Sequence, residues 1–202
     1  MAAHANANLL TNGSFELGGF VNQGNQTMVL NVGSTTITGW TVSTDQLAWI
    51  DAGNPWGLTA QDGTRFLDFT AYPTGAPFGG ITQVLSTTVG EHYELSFELG
   101  SYTRRWGGPP VSILASAGNA SQTFTVSTAS DESTWTPFSM LFTAVSPTTA
   151  VSLTGSAGFQ YIGLDNVSVV DVGGRSPVPE PQSAALALAG LGALATAFRL
   201  KR

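Results

Sequence analysis

The stretch "EHYELSFELG", Glu91 to Gly100, alternates without a break. Tyr93, Leu95, Phe97 and Leu99 fall on one side, and His92, Glu94, Ser96 and Glu98 on the other. Only an extended strand, with its side-chain period of two, turns such a run into one apolar and one polar face. The same period recurs in "TRFLDFT", "GGITQVLS", "VSILAS", "SQTFTVST", "WTPFSMLFTA", "TAVSLTG" and "GLDNVSVV". Gly, Pro, Asn or Ser-Thr clusters separate these runs, and "SAGNAS" between two of them reads as a hairpin turn. No helical period appears before Val178. A strand with one apolar face must lay it against another layer. Many such strands at short, regular spacing predict an all-β chain folded as a β-sandwich.

The composition agrees: 25 Thr, 19 Ser and 24 Gly, with the single lysine at position 201. Residues 8–171 suit one domain with a sizeable core. Residues 1–7 contain Ala-His-Ala and Ala-Asn-Ala, the small-x-small pattern of a cleavage site, and are read as the remnant of an export signal or a disordered N-terminus. Without cysteine there is no disulfide, thiolate metal site or thiol nucleophile. Up to Pro177 the chain has 12 acidic residues against 4 arginines, a balance of −8. Such a domain repels nucleic acid and anionic membrane surfaces.

The end of the chain has a different character. Ser183 to Phe198 carries no charge and is apolar all round. Its 16 residues would make a helix of about 24 Å, and extending it from Gln182 to Leu200 approaches a membrane span. Arg199, Lys201 and Arg202 then mark the cytoplasmic side. Val178-Pro179-Glu180-Pro181, the apolar helix and the basic end, in that order, resemble the PEP-CTERM sorting signal of Gram-negative bacteria. The resemblance implies transient anchoring in the inner membrane, cleavage near Pro-Glu-Pro by an exosortase-type enzyme, and transfer to the cell surface or the medium. On this reading residues 172–181 are a linker carrying the motif, and residues 182–202 are a transmembrane sorting helix with a basic tail.

A second resemblance covers Asn8 to Val170. "NLLTNGSFE", "ITGWTV", "LAWID", "DGTRFLDFT", "GGITQVLSTTVGEHYELSFELG" and "IGLDNVSVV" resemble the DUF642 / choice-of-anchor C type of domain, with the weakest match between Ser101 and Ser130. These domains belong with galactose-binding-like jelly rolls and are similar to many carbohydrate-binding modules. The resemblance implies a two-sheet jelly roll, often with a structural calcium, that binds polysaccharide or cell-wall material. Glu16, read as lying in the first strand, and Asp165 in the last are the candidate calcium ligands, since the resemblance makes first and last strands neighbours. Alternation puts Asp165 on the face of Val167 and Val169, where a carboxylate needs a partner or a cation. The alternative is that Asp165 caps backbone amides in a bulge.

Catalytic patterns are missing from the sequence. The two histidines are His4, near the start, and His92, on a polar strand face, and no Gly-x-Ser-x-Gly elbow occurs. Glu94 and Glu98 lie roughly 13 Å apart along one strand, far for an acid–nucleophile pair. A non-catalytic binding protein is expected. Sugar recognition calls for flat aromatics beside polar groups, which points to Trp56, Tyr72, Tyr102, Arg104, Arg105 and Trp106 in loop-like stretches. Trp40, Trp49 and Trp135 are assigned to the core. Two adjacent arginines in an acidic chain favour an acidic polysaccharide. The expected function is an exported surface protein that binds carbohydrate or extracellular polysaccharide. The alternative is a structural matrix protein without a specific glycan ligand.

Overall fold

The computed structural model describes residues 7–70, 76–102, 108–128, 133–158 and 161–173. Among these, eleven strands carry the alternation into two sheets: β1 (Thr27–Leu30), β2 (Thr41–Thr44), β3 (Leu47–Ile50), β4 (Phe66–Asp68), β5 (Gly80–Ser86), β6 (His92–Ser101), β7 (Gly108–Ala117), β8 (Ala120–Thr128), β9 (Thr134–Thr143), β10 (Thr148–Ala157) and β11 (Gly163–Asp171). Each of the eight runs read as strands overlaps one of β4 to β11. β1 is only four residues long, Thr-Met-Val-Leu, too short to show an alternation and absent from the sequence reading.

The first sheet has the order β1-β3-β4-β11-β6-β9 and the second β2-β5-β10-β7-β8, and every pairing is antiparallel. From β4 onward each connection crosses to the other sheet, except the β7–β8 hairpin. Thus β4-β11-β6-β9 lies against β5-β10-β7-β8, the strand order of a jelly roll. The hairpin closes on the pair Ala117 and Ala120 around Gly118-Asn119, where Gly118 takes a φ of 52°.

Between the sheets, Leu95, Phe97 and Leu99 of β6 meet Ile81 and Leu85 of β5, Ile113 of β7, and Val151 and Leu153 of β10. Trp40 and Trp49 sit in this core, as their strand context suggests. Their indole N–H groups are not orphaned: Trp40 donates to the Asn12 carbonyl and Trp49 to the Phe15 carbonyl.

The leading segment is bound down by side-chain amides rather than by a regular strand. Asn8 donates to the Val167 carbonyl and accepts from the Leu10 and Val169 amides. Buried Gln83 of β5 closes a two-way link with Thr11, accepting its N–H at 2.7 Å and donating to its C=O at 2.9 Å. The predicted transmembrane helix at 182–202 and the motif Val178, Pro179, Glu180 and Pro181 lie outside the described residues. Among the described residues, no helix is long and apolar enough to cross a membrane.

Gln83→Leu keeps the volume but orphans both backbone groups of Thr11. It is expected to lower unfolding free energy by about 2–3 kcal/mol, read from denaturant midpoints at unchanged m-value.

Candidate functional site

The outer face of the first sheet carries one cross-strand row in which Ala48, Asp68, Gly163, Gly100 and Trp135 are successive partners. The two glycines leave a shallow floor, and other side chains fill it. A Cβ on Gly100 would lie 2.6 Å from the Trp135 ring, and one on Gly163 would lie 2.8 Å from Leu58. Around this floor forms a second apolar cluster of Ala48, Ile50, Leu58 and Phe66, with half-buried Trp56, Ala60, Tyr102, Trp135 and Tyr161 packed on it. Phe66 and Trp135 meet edge-on at 5.8 Å, and Tyr102 and Tyr161 at 6.4 Å. Trp56 donates to Thr27 Oγ1, and Trp135 donates to the Thr59 carbonyl at 2.9 Å. The result is a partly open set of four aromatic rings with fixed polar edges.

The segment from Asp51 to Arg65 covers one side of this cluster and is stapled by carboxylates. Asp165 Oδ2 accepts the amides of Gln61 and Asp62, and Oδ1 accepts that of Asn166. Glu16 accepts the Thr64 and Arg65 amides and the Thr64 hydroxyl. Arg65 returns a bond to the Glu16 carbonyl, pairs with Asp51 at 3.2 Å, and lies over the rings of Phe20 and Trp49.

Two expectations for these acids are corrected. Asp165 does not share a face with Val167 and Val169. It pairs with Glu98 on the outer side, and a bulge at Asn166, φ 49°, returns Val167 to the core. Glu16 lies ahead of β1 and in no regular strand. Burial of Asp165 is therefore compensated by backbone amides, the alternative weighed for it. Among the described residues, no group of three or more His, Cys, Asp or Glu side chains is placed to hold a metal ion. A calcium ion at Glu16 or Asp165 would have to displace the hydrogens that now face their oxygens.

Of the predicted contact residues, Trp56 and Tyr102 fall together in the aromatic cluster. Tyr72, Arg104, Arg105 and Trp106 lie outside the described residues. Trp135, assigned to the core, is instead part of the outer cluster, and Tyr161, which no sequence pattern singles out, joins it. For Trp135 the signal was present: in "TWTPFSMLFT" it alternates with Thr136, Phe138, Met140 and Phe142, and the last three of those face inward. Tyr161 precedes β11 and belongs to no periodic run.

Comparison with known proteins supplies a family. The model described as "Protein of unknown function (DUF642)" matches residues 8–160, and the PEP-CTERM protein-sorting motif matches residues 177–202. Halomucin of Haloquadratum walsbyi is 31% identical over 169 residues, which are 81% of this chain but 2% of that protein. Among solved structures, the enzymatically active domain of bacteriophage CBA120 tailspike protein 4 aligns with a TM-score of 0.51 at 14% identity, over 82% of this chain and 21% of that one. A CBM22-1 xylan-binding domain from Paenibacillus barcinonensis aligns at 0.45 and 14% identity, over 72% of this chain and 94% of that one.

The acids under the cluster also set its pH response. Burial pushes Asp165 up to about 7 against the pull of three amides, and Asp68 up to about 6 against bonds from Thr70 and Ile162. Burial raises Glu98 as well. A raised carboxyl in the folded state binds a proton that the unfolded chain has already released. Folding is therefore favoured as pH falls through 7 and 6 toward the ordinary carboxylate range. Calorimetric melting temperature is expected to rise by several degrees from pH 8 to pH 5, about 2–4 °C per kcal/mol for a chain of this size. Asp68→Asn should flatten that rise. A melting temperature that falls over this range would contradict the assignment.

Proposed function

Because this chain belongs to the DUF642 family and carries a PEP-CTERM protein-sorting motif, we propose that it is a non-catalytic, exported surface protein that binds polysaccharide on the outer face of the first sheet. The observation that carries this reading is the half-buried ring set Trp56, Tyr102, Trp135 and Tyr161, held against the sheet by a stapled segment. Sugar rings offer apolar C–H faces that stack on such aromatics, and the polar edges of the indoles are already fixed. Arg65 is committed to Asp51, Glu16 and two aromatic rings. An acidic polysaccharide would draw on Arg104 and Arg105, whereas the aromatic set alone suits a neutral one.

The test is retention of the protein by neutral and acidic polysaccharides in affinity electrophoresis. Tyr102→Ala and Trp56→Ala are each expected to weaken retention roughly tenfold, about 1.4 kcal/mol. Melting temperature should move little beside that loss. Arg104→Ala with Arg105→Ala should affect only acidic polysaccharides. Unchanged retention in the folded aromatic variants would remove the reading.

Export supplies a separate expectation. The mature form should end near Pro179 to Pro181, cut by an exosortase-type enzyme at the membrane, and intact-mass measurement of exported protein checks it. A structural calcium at Glu16 and Asp165 is an independent proposal. It requires the 61–65 amides to give way, and it predicts a higher melting temperature in calcium than in EDTA, whereas the amide staple alone predicts no difference.

A further inference from the structure

The four edges of the sandwich are not alike. β1 and β2 are four residues each, and the register of β2 slips between Val42 and Thr44. β9 carries Pro137 near its middle, and proline cannot donate to an added strand. Short strands, irregular register and proline are the usual means of blunting an edge. β8 is neither short nor broken by proline, and its one register shift against β7 lies beyond Val126, where the extra residue belongs to β7. It runs nine residues, Ala120–Thr128, as "ASQTFTVST", with no charge and no proline.

Its free side can be read from the hairpin. The two-residue loop makes Ala117 and Ala120 the hydrogen-bonded closing pair, so bonding to β7 alternates from there. The N–H and C=O groups of Ser121, Thr123 and Thr125 therefore point away from β7 along the open edge. Ser112 Oγ and Thr125 Oγ1, 2.9 Å apart, show the close side-chain approach of a non-hydrogen-bonded pair. Phe124, wedged against Phe97 and Phe138, holds the strand in this orientation. Among the described residues, no strand pairs with that side.

Charge selects the partner. The chain has a net charge of −6 and should repel its own copies. Yet none of the five strands of the second sheet contains a charged residue, while the first sheet holds Asp68, Glu94, Glu98, Asp165 and Asp171. The β8 edge is thus the place where two copies meet without bringing like charges together. Its outer face continues a row of hydroxyls, Thr41-Thr82-Ser152-Ser116-Ser121, one on each strand.

We propose that β8 is a self-association edge, which pairs antiparallel with β8 of a second copy across a twofold axis at Phe124. Full overlap sets Thr123 opposite the partner's Thr125, both on the outer face, as a Thr–Thr cross-strand pair. The two second sheets then join into one sheet of ten strands. The association does not depend on a glycan ligand.

Because the chain has no cysteine, the register can be tested directly. Full-length chains bearing Thr123→Cys and Thr125→Cys, mixed in mild detergent and oxidised, should form the mixed disulfide dimer. A hydrogen-bonded antiparallel pair sits ~5.5 Å apart at Cα, within disulfide reach. Chains bearing Val32→Cys, exposed on the far side, should not cross-link. In sedimentation equilibrium the unmodified chain should dimerise, and Thr123→Pro should raise its dissociation constant at least roughly tenfold. Thr125→Lys, which leaves the backbone intact, should do the same if the proline variant fails to fold. A monomeric unmodified chain, a dimer indifferent to Thr125→Lys, or equal cross-linking through Val32→Cys would each overturn the proposal.

Discussion

The bond from the Gln61 and Asp62 amides to one oxygen of Asp165 organises the outer half of this molecule. It exists because the last strand bulges at Asn166, a residue type that tolerates the left-handed conformation at low cost. The bulge separates two demands on β11. Leu164, Val167 and Val169 serve the core, while Asp165 is released to the outside beside Glu98. From there it pins the segment that covers the glycine floor, and Glu16 pins the same segment three residues further on. Without those staples Leu58 would have no reason to lie over Gly163, and the aromatic cluster would lose one wall.

The two sheets share an interior but present different surfaces. The first exposes carboxylates and half-buried rings, supported by Gly100 and Gly163. The second exposes hydroxyls and apolar side chains such as Val84 and Leu114, with no charge on any of its strands. Each surface follows from the period of the strands, since every residue that leaves the core is placed on one of two outer faces. The proposed binding face and the proposed association edge do not compete, because the first lies on one sheet and the second borders the other.

Burying Asp68 and Asp165 has a cost that their amide partners only partly offset, so both are held above the ordinary carboxylate range. This is strain located at the site rather than in the core. Groups that fold best when neutral are retained where they aim backbone amides. The same acids show why the sequence leaves both a cation and backbone amides open: a buried carboxylate needs a partner, and its letters do not distinguish a metal from an amide.

How much was legible follows from range. Alternation with period two is local, so β4 to β11, the apolar interior and the β7–β8 turn could all be read from the letters, as could the sorting motif and the family. Trp56 and Tyr102 were legible as loop aromatics. What could not be read was whatever depends on register between distant strands. A single αL residue at Asn166 moved Asp165 to the opposite face. The period of β9 already turned Trp135 outward, but only its pairing with Gly100 decided what that ring covers. Tyr161 joined Tyr102 only because β11 lies beside β6. The sequence by itself determined which residues leave water, because burial is a property of each side chain and its period. Only the tertiary structure decided which face each one reaches and what it meets there, because one bulge or one cross-strand step reassigns a whole neighbourhood.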